Sequence, residues 1–215
     1  QRWSCRAFKP DALTAEQITD LIDKARRSPS GGNLQPWRIL AVAGEEKEKL
    51  RDIAAAVLLA NPDGEEGEQR VYPSNLEEPY RSRRYKVGED MYEALGIARD
   101  DKMGRYGWLA NNYSFFGAPV GLFFIIKKRF GHHQWAHMGM LMQTIALLAQ
   151  EAGFATCMQE AWSKVRETLH TELNLADDEM LYCGMALGVP DHEAPVNQWR
   201  SDRAPLADIL ECRGF

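Results

Sequence analysis

Two clusters of arginine and serine stand near opposite ends of the chain, in the stretches RWSCR and RSDR. Their candidate ligands are Arg2, Ser4, Arg6, Arg200, Ser201 and Arg203. Guanidinium groups and hydroxyls suit a phosphate dianion, because they donate several hydrogen bonds to its oxygens. Arginines near chain termini are usually solvated, so each cluster alone is weak evidence for a phosphate site.

The stretch SPSGGNLQPWRIL, residues 28–40, concentrates turn-forming residues where a helix ends and a strand begins. Gly31 and Gly32 permit positive φ angles and the close approach of a flat ligand. The side-chain amides of Asn33 and Gln35 each offer a donor and an acceptor, which suits the edge of a heterocycle. Asn, Gly and Pro are also ordinary turn formers, so these residues by themselves favour a structured turn over a binding loop.

Metal and nucleophilic chemistry find little support. His133 and His137 could share a helix face, but neither an H-E-x-x-H pattern nor a third ligand accompanies them. We therefore favour ordinary polar histidines at a helix entry. Cys157 ends a predicted strand, where buried cysteine is usually inert. The sequence lacks the GxxxxGK[ST], GxGxxG and GxSxG motifs, so we predict no metal and no dedicated nucleophile.

Charge and composition narrow the class of protein. The 215 residues include 26 basic and 31 acidic side chains, which give a net charge of −5. This balance argues against nucleic-acid binding, which favours a basic surface. Four cysteines without a CxxC pair indicate a reducing, cytoplasmic setting. The longest apolar run, 118–126, is too short to span a bilayer. We expect one domain at 1–215, and residues missing before Gln1.

Helix and strand patterns alternate without a regular βαβ repeat. The segment 14–27 predicts an amphipathic helix in which Thr14 and Gln17 form a capping box. Further helices are predicted at 45–60, 109–116, 134–153 and 161–171, and strands at 37–43, 118–126, 154–158 and 180–188. This order predicts an α+β fold with a mixed sheet wrapped by helices.

One long polar excursion interrupts these elements. The acidic, glycine-rich composition of residues 61–69 predicts a loop, and residues 70–103 are charged, with short helical pieces predicted around 87–96. We interpret 70–103 as a surface excursion that could act as a lid. Its basic run comprises Arg81, Arg83, Arg84 and Lys86. A solvated face is the favoured interpretation of this run, and capture of an aromatic carboxylate is the alternative.

Five segments in order closely resemble the FMN-dependent nitroreductase family, over nearly the whole chain. They are RWSCRAFKP, ARRSPSGGNLQPWRILAV, FFGAPVGLFFI, GMLMQTIALLAQEAGFATCMQEAW and LGVPDHEAPVNQWRSDRAPLADIL. PYRSRRYKVGEDMYEALGI and CMQEAW further resemble the nitrobenzoate-reductase-like branch. The resemblance implies a mixed, mostly antiparallel sheet flanked by helices.

The resemblance also implies which residues bind FMN. In the family, the first motif holds the phosphate and ribityl chain, and it corresponds here to Arg2, Trp3 (through its backbone), Ser4 and Arg6. The C-terminal basic motif closes on the same phosphate, which selects Arg203 first and Arg200 second. Contacts to the flavin ring are implied for Ser30, Asn33 and Gln35, an approach to the cofactor for Gln143, and positions near N5 for Met158, Gln159 and Glu160.

Activity and assembly follow from the same resemblance. The family is a tightly intertwined homodimer whose two flavin sites draw on both chains. NADH or NADPH passes hydride to the flavin and leaves, and a nitroaromatic or related small-molecule acceptor is then reduced in its place. The implied activity is therefore that of an NAD(P)H-dependent flavin oxidoreductase working by a ping-pong mechanism, with no nucleic-acid or membrane partner.

The chain departs from the family pattern at one point, and its residues are compatible with further functions. Many family members have a glycine-rich sequence where this chain has Gln159-Glu160-Ala161-Trp162. An inward-facing Glu160 would disfavour the anionic reduced flavin. The same fold also serves reductive dehalogenation, enone reduction and flavin breakdown. A non-catalytic FMN-binding protein, or a metal-binding helical protein built on His133 and His137, would also fit these residues.

Overall fold

The computed structural model describes residues 1–65 and 71–215. Within these residues, four strands form one sheet in the order β1-β2-β4-β3. The strands are β1 (Arg38–Ala43), β2 (Val120–Lys127), β3 (Ala155–Gln159) and β4 (Glu179–Gly188). All three strand pairs are antiparallel, and a parallel bridge joins Ser4 to Thr156 on β3. The predicted mostly antiparallel sheet is confirmed.

Helices cover both faces of this sheet. They are α1 (Ala15–Ala25), α2 (Gly44–Ala60), α3 (Tyr80–Ala94), α4 (Lys102–Ala110), α5 (His132–Glu151), α6 (Arg166–Glu172) and α7 (Pro195–Gln198). Helices α1 and α5 pack on one face, where Leu122 and Phe124 of β2 meet Met138. Residues of α2 and α6 pack on the other face around Phe123 and Trp162. None of the helices described is long and apolar enough to cross a membrane.

Strand β2 lies in the centre of the sheet, as its apolar sequence predicts. Its first seven residues, 120–126, are all buried, because helices cover both of its faces. Two glycines in the central strands allow large rings to lie directly on the sheet. A Cβ at Gly121 would come within 2.3 Å of the Phe115 ring, and one at Gly184 within 2.3 Å of Trp162. Both rings belong to one aromatic cluster on the same face, with centroids 4.9 Å apart.

The start of α1 follows the sequence prediction closely. The Thr14 hydroxyl accepts a hydrogen bond from the Gln17 amide at 3.1 Å, and the Gln17 side chain accepts one from the Thr14 amide at 2.8 Å. The predicted capping box is therefore confirmed. The helix ends at Ala25 rather than Arg27, because Arg26 is its C-cap and Pro29 follows soon after.

The excursion contains a longer helix than its polar sequence predicts. Helix α3 begins at Tyr80, ahead of the predicted pieces around 87–96. Ion pairs within one turn support its basic residues, as in Arg81 with Glu78 at 2.8 Å and Lys86 with Asp90 at 2.5 Å. The acidic loop predicted at 61–69 lies outside the described residues from position 66 onward, as does residue 70 of the excursion.

Two predicted helices are replaced in part by 3-10 segments. The helix predicted at 109–116 is instead the end of α4 followed by a 3-10 segment, Asn111–Gly117. Phe115 and Phe116 there have φ angles of 54°, which no α-helix contains. The helix predicted at 161–171 begins with a 3-10 segment, Glu160–Val165, before α6.

Candidate functional site

The N-terminal arginine cluster lies across β3 and against the C-terminal segment. The amide of Cys5 donates to the Thr156 carbonyl at 2.9 Å, beside the Ser4 bridge. The amide of Arg6 donates to Asn197 Oδ1 at 2.9 Å, and Asn197 Nδ2 donates to the Ala7 carbonyl at 2.7 Å. These bonds fix the backbone that carries Arg2, Ser4 and Arg6.

The C-terminal cluster meets the N-terminal cluster through Arg200. Its guanidinium lies 4.4 Å from the centroid of the Trp3 ring, and its Nη1 donates to the Trp199 carbonyl at 2.8 Å. Arg203 Nη1 donates to Ser201 Oγ at 2.7 Å. Arg200 is therefore committed to the ring and the backbone around it, whereas the bonds of Arg203 are local to its own turn.

Residues 30–35, called the 30–35 loop below, adopt a backbone that is unusual for their types. Gly32, Asn33 and Gln35 have φ angles of 61°, 53° and 48°, in the left-handed region. For Asn33 and Gln35 this conformation costs free energy that the surrounding structure must supply. The Gln35 amide donates to Ser30 Oγ at 3.0 Å, and Gln35 Nε2 donates to the Asn33 carbonyl at 3.2 Å. The Asn33 side chain stays exposed.

The 30–35 loop is attached to α5 by a histidine. The Gly31 amide donates to His137 Nε2 at 3.1 Å. Neither the helix-entry interpretation of His137 nor the metal-binding alternative predicts this hydrogen bond to the 30–35 loop. Among the described residues, no group of three or more His, Cys, Asp or Glu side chains could hold a metal ion.

The segment that follows β3 is supported by the 3-10 segment before β2. Gln159 pairs with Gly184 at the end of β3, and its Nε2 donates to the Asn112 carbonyl at 2.6 Å. The Tyr113 hydroxyl donates to the Ala161 carbonyl at 3.0 Å. Asn112 and Tyr113 are supporting residues that the sequence analysis missed, since 47 and 48 positions separate them from their partners and no local pattern links them.

Gln159 keeps an unused hydrogen-bonding atom. Because its Nε2 faces a carbonyl, its Oε1 is the free acceptor, and this atom is buried without a partner in the described structure. A buried acceptor without a donor is costly. Next to it, Glu160 is exposed on the chain's surface, and partial desolvation raises the pKa of its carboxyl. Met158 is half-buried.

The buried thiols are held in their protonated form. Burial raises the pKa of Cys157 from its ordinary value, with nearby Arg6 and Arg2 opposing the rise. Burial likewise raises the pKa of Cys5 to about 11 and that of Cys183 to about 12. A thiol is nucleophilic only as thiolate, so these groups lack the activation that a catalytic cysteine needs.

Gln143 lies on α5. It is exposed on the outward face of α5, between Met140 and Leu147. Its side chain makes no hydrogen bond in the part of the chain that the structure describes.

A cavity of about 860 Å³ lies in the excursion, between residues 73–78 and α3. Three cations of the basic run have carboxylate partners. Arg81 pairs with Glu78 at 2.8 Å, Arg83 with Asp208 at 3.1 Å, and Lys86 with Asp202 at 2.9 Å.

The fourth cation, Arg84, lines the cavity. Its guanidinium lies 4.0 Å from the Tyr72 ring centroid, and no carboxylate among the described residues pairs with it. All four cations of the run are exposed, as the solvated-face interpretation predicts, and the role of Arg84 in binding an aromatic carboxylate stays a prediction.

Comparisons with known proteins agree with this architecture. The Nitroreductase family model matches residues 1–189. The chain is 35% identical to a 4-nitrobenzoate reductase of Pseudomonas putida, over 100% of this chain and 93% of that protein. It is 34% identical to a chloronitrobenzene nitroreductase of Comamonas testosteroni, over 95% of this chain and 90% of that protein.

Solved structures that resemble this chain are also nitroreductases. The FMN and NADPH-dependent nitroreductase NfnB from Sphigopyxis sp. strain HMH is 43% identical, with a TM-score of 0.96, and the match covers 100% of this chain and 96% of that chain. NfnB from Mycobacterium smegmatis, solved in complex with NADPH, is 28% identical, with a TM-score of 0.91, over 99% of this chain and 94% of that chain. The chain therefore belongs to the Nitroreductase family and has its α+β fold.

Proposed function

We propose that this protein is an FMN-dependent NAD(P)H oxidoreductase that reduces nitroaromatic acceptors by a ping-pong mechanism. One observation carries the proposal. The two arginine clusters, far apart in sequence, meet through Arg200 and Trp3 beside β3, in a chain 43% identical to an FMN and NADPH-dependent nitroreductase. Either cluster alone would be unremarkable, but their meeting concentrates phosphate-binding groups at one edge of the sheet.

The residues present fit a cofactor that combines a phosphate with a polar heterocycle. Arg2, Ser4 and Arg6 offer donors from a backbone fixed on β3, and Arg203 offers a guanidinium with only local bonds. The buried Gln159 Oε1 lacks a donor, which the N–H edge of a bound ring can provide. We therefore assign FMN to this set of residues.

Each group of residues then has a distinct role. Arg2, Ser4, Arg6 and Arg203 bind the phosphate, and Arg200 holds Trp3 and the first motif in place. Ser30, Asn33 and Gln35 contact the ring from the 30–35 loop, and Met158, Gln159 and Glu160 line its reactive side with Gln143 nearby. Bound FMN supplies hydride transfer from NADH or NADPH to the acceptor. The chain itself positions both substrates and needs no thiolate, consistent with its protonated buried cysteines.

Residues 1–215 act in this proposal as one FMN-binding domain, in which the excursion at 70–103 is a lid that selects the acceptor. The relatives reduce both charged and uncharged nitroaromatics by name, namely 4-nitrobenzoate and nitrobenzene. The cavity beside Arg84 is the part of the excursion suited to such a choice, because a ring and a carboxylate both find partners there. The proposed setting is the cytoplasm.

We further propose that the protein is an intertwined homodimer with shared sites. A compact folded chain of 215 residues exposes about 10,000 Å². This chain exposes 13195 Å². The excess is as large as the surface that two protomers of an obligate dimer bury together.

The location of exposed apolar residues supports the same assembly. Met140 and Leu147 on the outward face of α5 are 45% and 52% exposed, in a helix whose other face is core. The C-terminal tail exposes Leu206, Ile209, Leu210 and Phe215. Exposed apolar side chains, where they are contiguous, mark interaction sites. A second copy of the chain is the partner that would cover both surfaces at once.

Absorption spectroscopy tests the function directly. The purified protein, reconstituted with FMN, should show flavin bands that bleach on anaerobic addition of NADPH or NADH and return on addition of a nitroarene. A protein that takes up no FMN would overturn the proposal. Bands that fail to bleach would identify a non-catalytic flavin protein, and bleached bands that return only with acceptors lacking a nitro group would identify different chemistry on the same fold.

A further inference from the structure

His137 makes a contact that none of the predicted roles explains. It lies in the second turn of α5, and its Nε2 accepts the Gly31 amide proton at 3.1 Å across 106 positions of sequence. The ring is packed closely there, since a Cβ added to Gly31 would lie 3.2 Å from His137 Cε1. The contact therefore combines a hydrogen bond with a fit that a larger residue at position 31 would disturb.

The direction of this bond defines the state of the ring. An imidazole nitrogen that accepts a hydrogen bond carries no proton, so a neutral His137 must carry its proton on Nδ1. Nδ1 is itself buried and has no partner among the described residues. Nε2 of the ring therefore accepts a hydrogen bond from the 30–35 loop, whereas the Nδ1–H group donates none to the described residues.

The 30–35 loop needs support from outside itself. Its other hydrogen bonds are local: they run between its own residues, as from Gln35 and Asn33 back to Ser30, or to the Trp37 amide, which donates to the Gln35 carbonyl at 2.8 Å. Two non-glycine residues hold left-handed φ angles of 53° and 48°. In the described part of the chain, the bond from Gly31 to His137 is the one hydrogen bond that joins the 30–35 loop to another element.

We infer that His137, as the neutral Nδ1–H tautomer, is a positioning residue that holds the 30–35 loop in its flavin-binding shape from α5. It acts through Gly31 and strengthens FMN binding without touching the cofactor. The inference rests on the proposed function, because the 30–35 loop is the ring-binding loop of that proposal. The inference goes beyond the proposed function in that the hydrogen bond between α5 and the 30–35 loop contributes to FMN affinity.

Two substitutions separate the hydrogen bond from packing. His137→Leu fills the space but accepts no hydrogen bond, whereas His137→Gln retains an acceptor. We expect FMN affinity, measured by quenching of flavin fluorescence, to fall about three- to tenfold in the Leu variant, the amount one net hydrogen bond contributes. The Gln variant should stay within about twofold of the natural protein. His133→Leu, one turn earlier and exposed, should bind FMN normally.

The outcomes are distinguishable. A Leu variant that binds FMN as tightly as the natural protein, or a Gln variant as weak as the Leu variant, overturns the inference. A natural protein that binds no FMN overturns the proposed function instead.

Nitrogen NMR of protein labelled with ¹⁵N-histidine provides a second test that needs no cofactor. His137 should appear as the Nδ1–H tautomer, and an Nε2–H tautomer or a doubly protonated ring would overturn the inference.

Discussion

Arg84 shows how one side chain can differ from its neighbours in an otherwise uniform basic run. Arg81, Arg83 and Lys86 are neutralised by carboxylates, and further charge on a ligand would have to compete with those partners. Arg84 instead stacks over Tyr72 and lines the cavity. A cation on an aromatic face retains free N–H groups for a carboxylate. In the proposed function, we therefore expect selection between charged and uncharged acceptors to depend on this residue.

The substitution Arg84→Ala tests that assignment. We expect KM for 4-nitrobenzoate to rise about tenfold, the cost of losing a hydrogen bond to a charged group at a partly solvated site. KM for nitrobenzene and kcat for both acceptors should change little. Steady-state kinetics with each acceptor measures the difference.

Arg81→Ala is the matched control, since Arg81 lines the same cavity but is paired with Glu78. It should leave both KM values near those of the natural protein. Equal changes for the two acceptors in the Arg84 variant would contradict a role in recognising the carboxylate.

At the scale of elements, Glu179 joins two strands that are not neighbours in the sheet. It begins β4, and its carboxylate accepts from Arg38 of β1 at 2.9 and 3.1 Å, across the intervening β2. Burial alone would raise the pKa of this carboxyl. The bonds from Arg38 and the Ala176 amide outweigh burial and hold the pKa below its ordinary value of 4.5. The ionised form is therefore the one that the folded state prefers.

Replacing the charge should destabilise the protein in a pH-dependent way. Glu179→Gln should lower the free energy of unfolding by about 1–2 kcal/mol at neutral pH, because the bonds from Arg38 lose their charged acceptor. A lowered folded-state pKa gives stability that is present above the unfolded pKa and lost as pH falls through the folded pKa. The difference between the two proteins should thus shrink below pH 4.5.

Urea unfolding at neutral and acidic pH measures this difference. Glu211→Gln serves as the control, because Glu211 is exposed in the tail and, among the residues that the structure describes, pairs only with the nearby Arg213. A constant difference between Glu179→Gln and the natural protein at every pH would contradict the assigned cause.

The elements that the sequence predicts are those specified by neighbouring residues. Thr14 and Gln17, three positions apart, predict the start of α1, and the apolar run at 118–126 predicts the central strand. Helix α3 begins earlier than predicted because its basic residues find carboxylates in a tail far along the chain as well as nearby. Such pairing between distant residues cannot be read from the polar sequence of the excursion alone.

In the candidate site, too, the sequence predicts some features and not others. Residue types alone single out the arginine clusters and the 30–35 loop, and the family resemblance supplies their roles. The contacts that organise these groups, from Gly31 to His137 and from Arg6 to Asn197, span 106 and 191 positions. No pattern within a short window encodes them, because each depends on how separate elements pack.

At the scale of the whole molecule, the apolar surface that the single chain exposes is the argument for the proposed homodimer. The outward face of α5 and the C-terminal tail both present large apolar side chains to solvent. Gln143 lies on the same outward face of α5. If a second copy covers that face, Gln143 belongs to the interface, and its implied approach to FMN becomes an approach across two chains. Dimerisation and cofactor binding are then a single property of the assembly.

A paired substitution on α5 tests this coupling. Met140→Glu with Leu147→Glu places two charges on the proposed interface, where neither finds a partner, and should convert the dimer to monomers with loss of FMN. Light scattering on a sizing column measures the mass, and the flavin absorbance of the same peak reports the cofactor. Leu59→Glu, at a position 87% exposed on α2, should keep both properties. A doubly substituted protein that remains a dimer with full FMN would place the interface elsewhere and remove α5 from the shared site.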